Sequence, residues 1–153
     1  MSFTLTQKEA TLIKDLKGQE QLCADKYKKY AEQAYDPQLK QLFTDIASVE
    51  QAHYRMLTDM ESGCLPETGN GSTVGSGQFN ATYHATEMPE KKADAYLCTD
   101  LLTTEKHVSS LYNTSVFEFE RPELRRVLSR IQADEQVHGE RLYQYMKANS
   151  MYS

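Results

Sequence analysis

The sequence has no tryptophan, four prolines and three cysteines, and it contains no long apolar run. Without about 20 consecutive apolar residues there is no candidate membrane span. The N-terminus, MSFTLTQKEA, lacks a charged segment followed by an apolar one, so we expect no signal peptide and synthesis in the cytoplasm. Lys and Arg number 17 against 22 Asp and Glu. We therefore expect no nucleic-acid or membrane partner, because such surfaces need clustered basic residues.

The cysteines Cys23, Cys64 and Cys98 are odd in number and form no CxxC pair. This pattern excludes a zinc ribbon or a rubredoxin-type module within the chain. Two interpretations of the thiols stay open: they are buried and free, or they cross-link after the protein enters an oxidising layer. Folding needs neither, because 153 residues are enough to bury a sizeable core.

Helical periodicity is present in four segments of the chain. Thr6 and Glu9 form a capping box before the first segment, and Pro37 and Pro122 mark the starts of the second and the fourth. We predict a single all-α domain over residues 1–153, folded as a four-helix bundle. The predicted helices cover about residues 6–34, 37–61, 89–118 and 122–148.

The connection between the second and third helices, about residues 62–88, holds five of the seven glycines. This composition is typical of a loop rather than of a helix. Its ~27 residues can run along a helix of ~26 residues, which is ~39 Å long at ~1.5 Å per residue. Short turns elsewhere make sequential helices antiparallel, so the crossover predicts that the second and third helices run parallel.

An internal repeat relates the two halves of the chain. Residues 12–61 align with residues 97–146 at a constant shift of 85 residues, and twelve of the fifty aligned positions are identical. Helical sequences share leucines by chance, but they rarely share Glu, Tyr, Pro, Gln and His in one register. The bundle is therefore predicted to be two copies of one helical hairpin. The identical pairs are Leu12/Leu97, Asp15/Asp100, Leu16/Leu101, Glu20/Glu105, Tyr27/Tyr112, Pro37/Pro122, Leu39/Leu124, Ile46/Ile131, Glu50/Glu135, Gln51/Gln136, His53/His138 and Leu57/Leu142.

Four glutamates of the repeat are predicted to meet at one height in the bundle. Glu20 lies 30 residues before Glu50. From Glu20 the chain runs about 21 Å to the end of the first predicted helix and then returns about 20 Å along the second helix to Glu50. Glu105 and Glu135 have the same spacing in the second hairpin. All four lie three or four residues from apolar neighbours, which is the spacing of the side of a helix that faces the core.

Two divalent cations would explain why carboxylates occupy these core positions. Bare carboxylates among leucines cost several kcal/mol each or take up protons, and four of them repel one another. His53 and His138 follow Glu50 and Glu135 by three residues, so each Glu-x-x-His pair projects from one helical face. The predicted metal ligands are Glu20, Glu50, His53, Glu105, Glu135 and His138.

Two alternatives to a filled site stay open: the six residues lie on the surface, or they form a site that is empty or loosely filled. Around the predicted ligands, Tyr27 and Tyr112 lie two turns past a ligand glutamate and could hold carboxylates in place. Asp134 could accept a hydrogen bond from a histidine, and Val49 takes the matching place in the first hairpin. No catalytic residue is identified, and His84 and His107 are predicted to be solvated.

This ligand pattern resembles that of the ferritin-like di-metal superfamily, which includes rubrerythrins and bacterioferritins. The resemblance implies that Glu50 and Glu135 bridge two metal ions, that Glu20 and Glu105 are terminal ligands, and that each histidine supplies one nitrogen. It implies a ferritin-like bundle with a dinuclear centre of iron or manganese, with zinc possible in a purified sample. The chain lacks the CxxC pairs of rubrerythrins, which puts an internal electron relay in doubt.

In finer detail the chain resembles the coat F (CotF-like) proteins of endospore-forming bacteria. The stretch that carries this resemblance runs from LTQKEA to MLTDM, with DPQLKQLF followed by EQAHY. The resemblance implies a place in the spore coat and other coat proteins, or further copies of the chain, as partners.

Three functions follow as expectations. The first is handling of peroxide or oxygen, or Fe(II) oxidation, by the dinuclear centre of a coat protein. The second is a structural coat or assembly protein in which metal only stabilises the bundle. The third, an iron-storage cage, has the least support because the sequence identifies no cage contacts. Whether the centre turns over is left open.

Overall fold

The computed structural model describes residues 2–69, 74–84 and 88–151. The described chain is all-helical, with four long helices, as predicted. They are α1 (Gln7–Gln33), α2 (Pro37–Glu61), α3 (Pro89–Val116) and α4 (Pro122–Ala148). None of the described helices is both long and apolar enough to cross a membrane.

Local signals in the sequence account for the helix ends. Thr6 caps α1 through the predicted capping box, with the Glu9 amide donating to the Thr6 hydroxyl at 3.1 Å. Asp36 caps α2 ahead of Pro37. Helix α3 ends at Val116, two residues before the predicted end, because the Glu118 amide turns back to the Ser115 carbonyl at 2.9 Å.

The four helices form a bundle in which each hairpin packs mainly on itself and the two hairpins meet through α1 with α3 and α2 with α4. Tyr27 of α1 contacts Glu105 of α3, whereas Glu20, earlier in α1, contacts the later Tyr112. These contacts show that α1 and α3 are antiparallel. Since α2 is joined to α1 by a short turn, α2 and α3 run parallel, and the crossover between them accommodates this.

A layer of buried polar residues divides the core into two apolar clusters. One cluster, including Phe43, Leu101 and Leu142, packs the end of the bundle where α1 ends and α4 ends. The other, including Ile13, Leu57 and Leu128, packs the opposite end. The polar layer lies between them, at the height where the sequence places its four glutamates.

Each hairpin turn is capped by an acid of the other hairpin. Asp94 of α3 is fully buried and accepts hydrogen bonds from the backbone amides of Tyr35 and Asp36, at 2.9 and 3.0 Å. In the other half, Glu9 of α1 accepts from the Glu120 amide at 2.9 Å. Glu9 and Asp94 differ by the same 85 residues as the repeat. These caps therefore hold the two hairpins in register at both ends of the bundle.

The described part of the crossover is held by specific contacts. The Asn149 side chain accepts from the amides of Thr82 and Tyr83, at 2.8 and 3.1 Å, and the Tyr83 hydroxyl donates to Asp94 at 2.6 Å. Phe79 packs edge-on against Tyr145 with ring centroids 5.4 Å apart. Residues 74–84 thus form part of the packed structure.

Asp94→Ala should destabilise the fold by about 3 kcal/mol, because it leaves two backbone amides and the Tyr83 hydroxyl without their acceptor in a buried place. Urea unfolding followed by circular dichroism measures the change. The exposed Asp15→Ala in α1 is the matched control and should change stability by less than about 0.5 kcal/mol. Equal effects of the two substitutions would show that the cap between the hairpins contributes little.

Candidate metal centre

The polar layer consists of the six residues singled out in the sequence, and the structure brings all of them together. Every one is buried, with at most 2% of its surface exposed. The two other histidines, His84 and His107, are exposed and away from the layer. The six are Glu20, Glu50, His53, Glu105, Glu135 and His138.

These residues form two overlapping groups, in each of which one ligand atom per residue lies within 4.8 Å of the others. The first group is completed by Glu20 and His53, and the second by Glu105 and His138. Glu50 and Glu135 belong to both groups. Each group alone has the composition of a site that could hold a metal ion, three carboxylates and one imidazole.

The Nδ1 atoms of both histidines face carboxylates across short distances. His53 Nδ1 lies 3.0 Å from Glu135, 3.3 Å from Glu50 and 3.5 Å from Glu20. His138 Nδ1 lies 3.3 Å from Glu50, 3.6 Å from Glu105 and 3.8 Å from Glu135. One imidazole nitrogen and several carboxylate oxygens therefore converge on each group.

Buried atoms without hydrogen-bond donors show that the side chains fit a cation. Both oxygens of Glu50 and of Glu135 lack a hydrogen-bond partner among the described residues, as does one oxygen each of Glu20 and Glu105. Ionised carboxylate oxygens only accept hydrogen bonds, so a buried oxygen without a donor requires a proton or a cation. Glutamate oxygen and histidine nitrogen are ligands that suit iron, manganese and zinc.

The remaining oxygens of the two unshared glutamates are held by tyrosines of the opposite hairpin. The Tyr27 hydroxyl donates to Glu105 at 2.7 Å, and the Tyr112 hydroxyl donates to Glu20 at 2.6 Å. Burial first and the nearby carboxylates second raise the pKa of both tyrosines well above the usual value. Both hydroxyls therefore keep their protons and orient the glutamates.

The two histidines differ in what holds their outer nitrogen. His53 Nε2 lies 2.9 Å from Asp134, which belongs to the other hairpin. His138 Nε2 has no hydrogen-bond partner among the described residues, and Val49 stands at the sequence position that corresponds to Asp134. A carboxylate on Nε2 fixes the tautomer in which Nδ1 is free to bind a metal. Only His53 has this support.

Without a metal ion, the layer retains protons. Burial, followed by the charges of Glu50 and Glu135, raises the pKa of the Glu20 carboxyl well above its usual value. Burial and then the charge of Glu135 raise the pKa of Glu105 to about 8. For His53, burial alone would lower the pKa, but the charge of Glu20 and the hydrogen bond to Asp134 raise it well above its usual value.

The three thiols do not belong to the two groups of carboxylates and imidazoles. All three cysteines are free; Cys23 and Cys98 are buried and Cys64 is exposed. Burial first and then the charge of Glu50 raise the pKa of the Cys23 thiol far above its usual value. Cys23 is therefore an unreactive thiol beside the carboxylates. Whether Cys64 cross-links stays a prediction.

A cleft of about 410 Å³ between α3 and α4 reaches the polar layer, and Glu105 and Glu135 form part of its wall. Sequence reasoning did not identify this cleft. The repeat contains one indication of the cleft. Gly139 lines the cleft and stands where the first hairpin has Tyr54. The six residues of the layer occupy identical positions of the repeat, whereas the cleft depends on a position at which the two copies differ.

Comparison with models of known protein families finds a similarity in the second half of the chain. A family model described as the Coat F domain matches residues 93–153, which contain α4 and all but the first turn of α3. No curated protein and no solved structure shows a significant match to the chain. The match lies in the second hairpin, whereas the stretch on which the sequence resemblance depends, residues 5–60, lies in the first.

The metal-free protein should lose stability as the pH rises. The fold raises the pKa of Glu105 from 4.5 to about 8, so the folded chain holds a proton there that the unfolded chain releases. The stability from this proton is fully present below about pH 4.5 and is lost as the pH rises to about 8. The raised pKa values of His53 and His138 act in the same direction.

Urea unfolding of chelator-treated protein at several pH values measures this dependence. The midpoint should be higher at about pH 5 than at about pH 8, and the difference should shrink in Glu105→Gln, which cannot titrate. A midpoint that increases over this range would mean that the carboxylates are already ionised in the metal-free fold.

Proposed function

We propose that the protein is a ferritin-like protein of the spore-coat type that holds a dinuclear metal centre and uses it on a small oxidant. The observation that carries the proposal is the pair of overlapping ligand groups, which share Glu50 and Glu135 and leave buried oxygens without donors. Two adjoining sites with two common carboxylates are what a pair of bridged metal ions requires.

Charge balance supports two divalent ions. The layer contains four buried carboxylates and two imidazoles, and two divalent cations would neutralise the four negative charges. Glu20 and His53 would complete one site, and Glu105 and His138 the other. Two Fe(II) or Mn(II) ions held there would supply two electrons, one each on oxidation to the trivalent state. With two protons these electrons would reduce one hydrogen peroxide to two water molecules, or one oxygen molecule to hydrogen peroxide.

The surrounding residues would keep the ligands in place. Tyr27 and Tyr112 each hold one oxygen of an unshared glutamate and leave its other, buried oxygen without a hydrogen-bond partner among the described residues. Asp134 fixes the ring of His53 through Nε2, so Nδ1 faces the carboxylates. Because these supports come from the opposite hairpin, each half of the site is oriented by the other half of the chain.

The cleft at Glu105 and Glu135 favours a reactive centre over a purely structural one. Structural metal sites are closed by protein ligands, whereas reactive sites keep access for a small molecule. The alternative, a coat or assembly protein in which the metal only stabilises the bundle, remains the second candidate because the unpaired carboxylates lie at the centre of the core.

The Coat F match suggests a place in the spore coat and other coat proteins as partners. The matched residues 93–153 include the second copy of the internal repeat. Since the first hairpin repeats the second at twelve positions, including the ligands, we extend the same origin to the whole bundle.

The number of bound metal ions should depend on whether a shared or an unshared glutamate is removed. Glu135→Ala takes an oxygen ligand from both groups, whereas Glu20→Ala takes one from a single group. After loading with Mn(II), elemental analysis should find about two ions per native chain, about one in Glu20→Ala and nearly none in Glu135→Ala. Glu140→Ala, exposed on α4, is the control and should bind as the native chain does.

Equal metal loss in Glu20→Ala and Glu135→Ala would contradict the shared role of Glu135, and a native chain that binds no metal would contradict the proposed centre. Circular dichroism of each variant separates loss of ligands from loss of the fold.

The native protein loaded with Fe(II) under anaerobic conditions should consume hydrogen peroxide at least about 100-fold faster than Glu135→Ala treated in the same way. Peroxide remaining and Fe(III) absorbance are followed after rapid mixing. If the loaded protein binds iron and is stabilised by it but neither consumes peroxide nor oxidises Fe(II), the structural alternative is correct.

A further inference from the structure

The two long faces of the bundle differ although the repeat makes their ligands equivalent. On one face α1 and α2 enclose Glu20 and Glu50, and on the other α3 and α4 enclose Glu105 and Glu135. Helices α1 and α2 pack together more extensively than α3 and α4 do. The side chains of Glu20, Glu50 and Glu135 are 0% exposed, whereas that of Glu105 retains 3%. The one exposed carboxylate side chain of the layer therefore lies on the wall of the cleft.

On the α1–α2 face, two large side chains, Lys17 and Tyr54, occupy the positions that correspond to Leu102 and Gly139 of the cleft. Tyr54 stands one residue after His53, and the Lys17 ammonium lies 5.1 Å from the centre of its ring. Lys17 is anchored in turn by Glu61, with its Nζ 2.8 Å from the carboxylate. This arrangement holds the tyrosine ring against the surface of the hairpin, so both the ring and the lysine stem cover the face.

On the α3–α4 face, the corresponding positions carry no such pair of a tyrosine ring and a lysine ammonium. Gly139 replaces Tyr54, and Leu102 replaces Lys17. Both line the cleft of about 410 Å³, together with Glu105, Glu135 and Ser109. Ser109 is half-buried, whereas its counterpart Ala24 is only 1% exposed. The missing side chain at position 139 therefore leaves the path to the carboxylates open.

We propose that Gly139 forms a one-sided entrance through which small solutes reach the polar layer, and that Tyr54 closes the equivalent path in the other hairpin. The solutes that fit are hydrated divalent cations and uncharged molecules of the size of hydrogen peroxide. What they do on arrival rests on the proposed function; the entrance itself is a property of the fold.

Position 139 can be substituted without strain in the helix. Gly139 lies inside α4, and a Cβ built there meets only the Leu102 Cδ1 atom at 3.7 Å, an ordinary van der Waals contact. Larger side chains would extend from this point into the cleft. Gly18, inside α1, is exposed and a Cβ there meets nothing within 4 Å, which makes it a matched control.

A thiol-accessibility experiment tests the entrance without any metal. In a Cys64→Ser background, which removes the exposed thiol, Glu105→Cys places a reporter at the cleft wall and Glu20→Cys places one at the equivalent covered position. Methyl methanethiosulfonate should modify Glu105→Cys at least about tenfold faster than Glu20→Cys, since a covered thiol reacts only when the structure opens. A second substitution, Gly139→Leu, should slow modification of the Glu105→Cys thiol to the rate of the Glu20→Cys thiol. Tyr54→Gly should accelerate modification of the Glu20→Cys thiol.

Gly18→Leu should leave both rates unchanged, and Gly139→Ala should slow Glu105→Cys less than Gly139→Leu does. Equal rates for the two reporters, or a Glu105→Cys rate that is insensitive to residue 139 in folded protein, would overturn the proposal.

A second measurement connects the entrance to the metal. Uptake of Co(II) by otherwise native chelator-treated protein, followed by its visible absorption after rapid mixing, should slow at least about tenfold in Gly139→Leu while the final amount bound stays the same. An unchanged uptake rate would contradict a role for the entrance in loading. If Co(II) does not bind to the native chain, the proposed function fails, whereas the thiol rates still decide whether the entrance exists.

Discussion

The structure depends on the burial of four carboxylates in one layer of a helical bundle. A carboxylate moved out of water without a partner costs several kcal/mol or binds a proton, and four together also repel one another. In the metal-free chain this constraint appears as raised pKa values for Glu20 and Glu105. Two divalent ions would satisfy the same constraint by coordination. Most of the surrounding contacts orient the oxygen and nitrogen atoms on which such ions would bind.

The repeated hairpin explains how one short motif supplies two adjoining groups of buried carboxylates and imidazole. Its symmetry extends beyond these six residues: Tyr27 holds Glu105 as Tyr112 holds Glu20, and the hairpin turns are capped across the bundle in the same reciprocal manner. The departures from symmetry are therefore informative. Asp134 supports only His53. Gly139 lines the cleft at Glu105 and Glu135 in the second hairpin, where the first hairpin has Tyr54.

Much of this could be predicted from the sequence because periodicity, capping and the repeat act over short distances. The four helices follow from these signals, and the 30-residue spacing brought Glu20 level with Glu50. The partner of Asp134 could not be assigned, since it depends on which helices are neighbours in the bundle. The acids that cap the turns could not be predicted, because Glu9 and Asp94 act on a turn of the other hairpin, which is distant in sequence. The cleft was missed because it comes from the absence of a side chain at Gly139, whose effect depends on what packs beside it.

X-ray diffraction from crystals grown with Mn(II), with anomalous data collected near the manganese absorption edge, would locate the metal ions in the bundle. A dinuclear centre should give two anomalous peaks in the polar layer, one contacted by Glu20 and His53 and the other by Glu105 and His138, with Glu50 and Glu135 close to both. No peak in this layer, or peaks confined to surface carboxylates, would contradict it. The buried acids would then be neutral, protonated parts of a purely helical scaffold.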